Sequence, residues 1–171
     1  MRYKMITTVL ALILATLFHS TISGTEQTRD RIIYNGKEFE LLRNFPMENY
    51  FEKYPDKRPQ GIISSNLWRG YVATFEVKNN QLYLKNIEIQ TRDSVVESKM
   101  NWESIFNELF PNQEQVKVDW VTEWLVLPHG KRTKQRYGSY EHYILLEMNN
   151  GSLVTEKHFY HRQHRRFLRQ R

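Results

Sequence analysis

The residues best suited to chemistry in this chain begin with Arg69, set in Ser64-Ser65-Asn66-Leu67-Trp68-Arg69-Gly70-Tyr71. A guanidinium stacks on aromatic faces and grips carboxylates through two parallel hydrogen bonds, so Trp68, Arg69 and Tyr71 make a candidate anion clamp. The plainer role for the same residues is internal. Trp68 and Tyr71 would be core residues at a strand entry, with Arg69 neutralised by Asp119 or Glu123.

His129 follows Pro128 at an expected strand end, and His142 closes Tyr137-Gly138-Ser139-Tyr140-Glu141-His142. Strand ends and loops are common seats for binding and catalytic groups, which adds His129, Tyr137 and Tyr140 to Trp68, Arg69 and Tyr71 as candidate binding residues. A hydrolase would need one of these imidazoles beside Asp119 or Glu123. Those two carboxylates share one strand face but stand about 13 Å apart at the usual rise. Glycosidases need about 5.5 Å between their carboxylates when retaining, and up to about 9.5 Å when inverting. Trp120 and Trp124 beside them suit core packing better than sugar stacking. The chain has no cysteine, and neither a nucleophile elbow, a His-Glu-x-x-His zinc motif, a Walker loop nor a dinucleotide fingerprint occurs. No cofactor is expected, and no catalytic residue stands out.

His158, His161 and His164 recur at a spacing that can bring imidazoles together for a metal. Arg162, Arg165 and Arg166 crowd them and repel a cation, so no metal site is expected. Residues 161–171 read instead as a basic tail with five Arg, poor in apolar groups apart from Phe167 and Leu168. The tail dominates the charge. The chain holds 25 basic and 19 acidic residues; without Arg2, Lys4 and those five Arg, residues 24–160 hold 18 basic and 19 acidic. A basic run suggests nucleic acid, but an exported chain does not meet it. Anionic envelope lipid or an acidic protein surface is the better target, with Phe167 and Leu168 dipping into a lipid interface, and a disordered terminus is the plainer role.

Export is the strongest expectation. Arg2 and Lys4 precede an uncharged apolar run over residues 5–18, with Thr21 and Ser23 at the −3 and −1 positions of a cleavage site. Fourteen residues fall short of the ~20 that span a bilayer, so residues 1–23 read as a signal peptide. An uncleaved N-terminal anchor is the alternative. No later run spans a membrane, and the expected location is periplasmic or secreted.

Positioning these residues falls to one domain, residues 24–160. Residues 24–31 read as a loose polar leader. Asn35-Gly36, Asn79-Asn80 and Asn149-Asn150-Gly151 each lie between strand-like runs and mark hairpin turns. Pro46 opens a helix with Met47, Tyr50, Phe51 and Tyr54 on one face. Asn101 caps a second with Trp102, Ile105, Phe106 and Leu109 on one face, stopped by Pro111. A phase shift between Leu84 and Ile87 predicts a bulge near Asn86. Residues 91–99 and 131–138 read as loops. Residues 116–127 read as a strand covered on both faces and ended by Pro128-His129-Gly130. The expected class is α+β: a mainly antiparallel curved sheet of about seven strands, packed by the Trp102 helix, with two short helices in all.

Residues 66–90 (NLWRGYVATFEVKNNQLYLKNIEIQ) resemble a block found in a group of small bacterial proteins of unassigned function. Residues 118–157, with Leu127-Pro128-His129-Gly130, are similar to a second block of that group. The resemblance implies a bacterial source and a stable domain type, and implies no activity. The expected function is an exported, non-enzymatic binding or accessory protein, immunity-like and protein-binding. A small envelope hydrolase is the alternative.

Overall fold

The computed structural model describes residues 25–93, 99–133, 139–161, 163 and 167. The expected signal peptide, Tyr137, His164 and most of the basic tail lie outside the described residues. Nine strands form one open mixed sheet: β1 (Arg31–Tyr34), β2 (Lys37–Glu40), β3 (Tyr71–Lys78), β4 (Gln81–Arg92), β5 (Met100–Ser104), β6 (Val116–Lys117), β7 (Trp124–Arg132), β8 (Tyr140–Asn149) and β9 (Ser152–Tyr160). The main order is β2-β1-β3-β4-β9-β8-β7, with β5 and β6 also on β4. Among the described strands, only β1 and β3 pair in parallel. Two helices with described bounds pack on the sheet, α1 (Pro46–Lys53) and the single-turn α2 (Phe106–Leu109).

Three hairpins follow from their turns. Asn35-Gly36, Asn79-Asn80 and Asn150-Gly151 all have positive φ at both residues, the geometry that matches strand twist in a two-residue turn. Between β3 and β4 the register steps from Thr74↔Asn86 to Phe75↔Leu84, so the bulge falls at Lys85, next to the expected position.

The sheet has two limbs joined at one corner. β4 and β9 share a single pair, Gln81↔Ser152. The buried Gln81 amide holds that corner by donating to Leu82 O, Val118 O and Gly151 O. Gly151 is required there, since a Cβ would sit 1.6 Å from Val118 O. Beyond Leu153, whose N–H bonds Asn80 O, β9 runs on past the β3–β4 turn. On the far side the limbs meet again, with Leu42 N–H donating to Val126 O at 2.8 Å. The core fills the space between: Ile32, Phe75, Leu84 and Ile87 from one limb, Leu125, Leu127, Ile144 and Leu146 from the other. α1 adds Met47 and Phe51, the latter edge-on to Tyr71 at 5.3 Å.

Several expectations are corrected. Met100 to Ser104 is not the start of a helix but strand β5, paired with β4 from Glu88 to Arg92. Trp102 is 43% exposed on it, and only Phe106–Leu109 is helical. The long β4 edge needs hydrogen-bond partners, and that demand outweighs one helical stripe. β4 therefore reaches Arg92, into the segment expected as a loop. Residues 118–123 break the strand expected over 116–127, although Val118 and Val121 are buried. Pro128 does not stop β7, which continues to Arg132. As the terminal strand of the order, β7 can carry a proline, because the N at this position, like that of Val126 two residues before it, points away from β8. The leader is not loose: Thr28 N–H bonds Asn66 O at 2.7 Å and Asp30 is fully buried.

Candidate functional site

Alternation along β7 and β8 builds the site. Leu125 and Leu127 face the core, and His129 continues their row; Ile144 faces the core, and His142 continues its row the other way. His129 and His142 are direct cross-strand partners, their rings stacked with centroids 5.1 Å apart and planes 23° from parallel. Tyr160 of β9 is opposite His142 and packs edge-on to it at 5.0 Å. From the other limb, Phe39 meets His129 edge-on at 6.5 Å. The row thus leaves the core and ends in a partly exposed margin of imidazole and aromatic faces.

Further along β9 the same face carries His158 and Glu156. His158 Nε2 lies 2.7 Å from Glu156 Oε1, and Tyr34 OH donates to Glu156 Oε2 at 2.7 Å across the gap between limbs. Burial first, and then the Glu156 carboxylate, push the Tyr34 phenol up to about 12, so it remains a donor. Burial, then the neighbouring His142 and His158, then Lys37, hold His129 below the usual imidazole pKa. The β7 bulge after His129 also matters, because a Cβ on Gly130, at φ +80°, would lie 3.0 Å from the His142 ring.

Arg69 has the aromatic neighbours its sequence predicts, but in the interior. It is 5% exposed, with its guanidinium 3.8 Å above the Phe45 ring and 5.4 Å from that of Tyr71. Its carboxylate is neither Asp119 nor Glu123 but Asp30: Nη2 donates to Asp30 Oδ1 and to Thr28 O, both at 3.1 Å. Ala73 N–H also donates to Asp30 Oδ1, at 3.0 Å. Burial raises the Asp30 pKa to about 6 against the opposing pull of Arg69 and the Ala73 N–H. Tyr71 is buried and donates to Glu48 Oε1 at 2.6 Å. Burial pulls Glu48 upward, but hydrogen bonds from Arg58 and Tyr71 outweigh it and leave its pKa lowered. Trp68 is the outward member, 49% exposed and edge-on to Phe45.

Tyr140 is half-buried, its hydroxyl accepting from Arg29 and Arg132 at 3.2 and 3.1 Å. Asp119 is exposed, while Glu123 accepts from Asn44 at 2.7 Å and is shifted upward by burial. Glu123 adjoins the start of β7, and Trp124 to His129 spans five residues, about 17 Å. Among the described residues, the imidazole–carboxylate pair within bonding distance is His158–Glu156. Sequence reading passed over Glu156, Tyr160 and Tyr34; strand alternation from His158 was the one signal that placed Glu156 and Tyr160 on a shared face. Among the described residues, no group of three or more His, Cys, Asp or Glu is arranged to hold a metal ion. No described helix is long and apolar enough to cross a membrane.

Phe167 of the basic segment packs on the outer face of the second limb, 5.3 Å from both the Trp124 and Phe159 ring centroids. No family model, curated protein or solved structure matches the chain.

Proposed function

We propose that this chain is an exported, non-enzymatic accessory protein that binds a protein partner through the margin formed by His129, His142 and Tyr160. One observation carries the reading. The inward-facing row of β7 and β8 continues beyond the core, leaving stacked imidazoles and a 65%-exposed Tyr160 where the apolar filling ends. Partly exposed aromatic groups on a rigid sheet are favoured anchors at protein interfaces. Arg69 and Tyr71, sealed inside, support the scaffold instead. An immunity-like role needs only such a surface on a stable domain. The hydrolase reading draws less support, since Asp119 and Glu123 stand apart from both imidazoles.

The test uses a photo-cross-linking amino acid at Tyr160 in the native host, with Asp119 as the control position. A discrete adduct from Tyr160 alone is the expected result, on a chain whose intact mass shows cleavage near Ser23. Equal adducts from both positions, or full-length chain in the cytoplasm, would end the proposal.

A further inference from the structure

We infer that the margin is an acid-strengthened binding site for an extended acidic peptide segment: Lys37, His129, His142 and His158 face one strip that holds a single described carboxylate, Glu156. This deepens the reading of the margin as the partner-contact surface and rests on it. Lys37 is the cross-strand partner of Tyr34 and shares its face, as Phe39 shares it one alternation on. Glu156 is already engaged by Tyr34 and His158. The other nearby charges turn elsewhere. Glu38 and Glu40 occupy the opposite face of β2, with Glu40 on Arg29. Glu141 accepts from the Lys131 N–H at 3.1 Å, and Arg132 is held by Glu26 and Tyr140. Near neutrality Lys37 and Glu156 offset one another. Protonation of the imidazoles adds positive charge to this strip, on whose face Glu156 is the one described carboxylate, while Glu141 borders its Gly130 end.

The backbone favours a peptide over a lipid headgroup. From Val154 onward, no described strand lies beside the β9 edge that faces away from β8. An added strand can bond that edge, and its alternate side chains then fall beside His158 and Tyr160. A carboxylate at those positions meets imidazolium, and an apolar side chain meets the Tyr160 ring. A lipid headgroup can use the charge but not the edge.

The probe is a labelled peptide of about ten residues alternating Glu and Thr, followed by fluorescence anisotropy with the full mature chain at fixed salt. Affinity should rise about tenfold or more between roughly pH 7.5 and pH 5.5, and a Lys-Thr peptide should not bind. The double variant His129→Gln/His142→Gln should lose most of the pH dependence while melting within a few degrees of the parent. His158→Gln, alone, should weaken binding at the acidic pH. Imidazole NMR shifts on peptide addition provide the second readout. Binding unchanged in these variants would assign the peptide to the Arg-rich segment and overturn the inference, as would pH-independent binding. Phosphatidylglycerol vesicles that engage the same histidines more tightly than the peptide would overturn it in favour of lipid. If Tyr160 cross-links a partner but the Glu-Thr peptide does not bind, the contact surface stands and the acidic ligand class falls. If both fail, both fall.

Discussion

The Asp30 carboxylate and the Arg69 guanidinium meet at 3.1 Å in a place where neither side chain reaches solvent. Their pairing ties the segment before β1 to the entry of β3, since the same Arg69 nitrogen also bonds Thr28 O. The pair is incompletely satisfied: Asp30 Oδ2 and Arg69 Nε and Nη1 have no hydrogen-bond partner. Attraction in the interior thus works against a large desolvation cost, and losing one partner leaves the other charge stranded.

Arg69→Met should therefore cost about 3–5 kcal/mol near neutral pH. The double variant Asp30→Leu/Arg69→Met should recover most of that loss, because no buried charge remains. Urea midpoints for the two single variants and the double variant decide the matter. Strict additivity would show that the pair does not act as a unit.

Asp30 also imposes a pH slope. Its folded pKa of about 6 lies above its ordinary value of 3.8. Between those values the folded state holds the proton and the unfolded state releases it. The Asp30 contribution to stability is therefore present at acidic pH and lost as pH rises through about 6, by at most about 3 kcal/mol. Asp30→Asn removes this slope. The stability of the parent minus that of the variant should fall from pH 4 to pH 6 and then level off, in denaturant melts across that range.

His129 acts in the opposite sense. Its folded pKa is lowered from 6.5, so the unfolded state binds the proton first. Its contribution is full above pH 6.5 and declines as pH falls below that value toward its folded pKa. Proton NMR should find His129 titrating below the ordinary imidazole range. His142→Phe should move it upward by removing the neighbouring imidazolium. An unmoved titration would show that His142 does not contribute to the His129 shift.

On β5, Trp102→Ala should cost about 1 kcal/mol or less, as for other half-exposed surface positions. Phe106→Ala, two residues beyond the strand in the buried cluster with Phe110, should cost about 3–5 kcal/mol. Chemical denaturation of the two variants side by side gives the comparison. A larger loss at Trp102 than at Phe106 would contradict the exposed strand.

Phe167 sits against Trp124 and Phe159, with Lys157 Nζ 5.8 Å from its ring centroid. Ending the chain at Tyr160 should lower stability by about 1–3 kcal/mol and shift the Trp124 emission. An identical melting temperature and spectrum would return this segment to a solvated appendage.

By itself, the sequence determined what depends on neighbours a few residues apart. The three Asn-based turns are legible because both turn positions need positive φ, which Asn and Gly tolerate. Helix α1 is legible from Pro46 and the spacing of Met47, Tyr50 and Phe51, and the bulge near Asn86 from the break in alternation. His129 and His142 were visible as candidates, since loop and strand-end positions need no long-range information to name. Only the tertiary structure decided their meaning. The β7–β8 register stacks the two rings, and the swing of β9 past the β3–β4 turn brings Tyr160, His158 and Glu156 to the same margin. Asp30 lies 39 residues before Arg69, in a segment too polar to read as interior, and Arg69 and the Ala73 N–H meet it there. Trp102 followed helical spacing, but the unpaired edge of β4 claimed its backbone for a strand. Backbone turns are set by the torsional limits of single residues. Ion pairs, ring stacks and edge partners are set by which distant segments the fold makes adjacent, and local spacing carries no record of that.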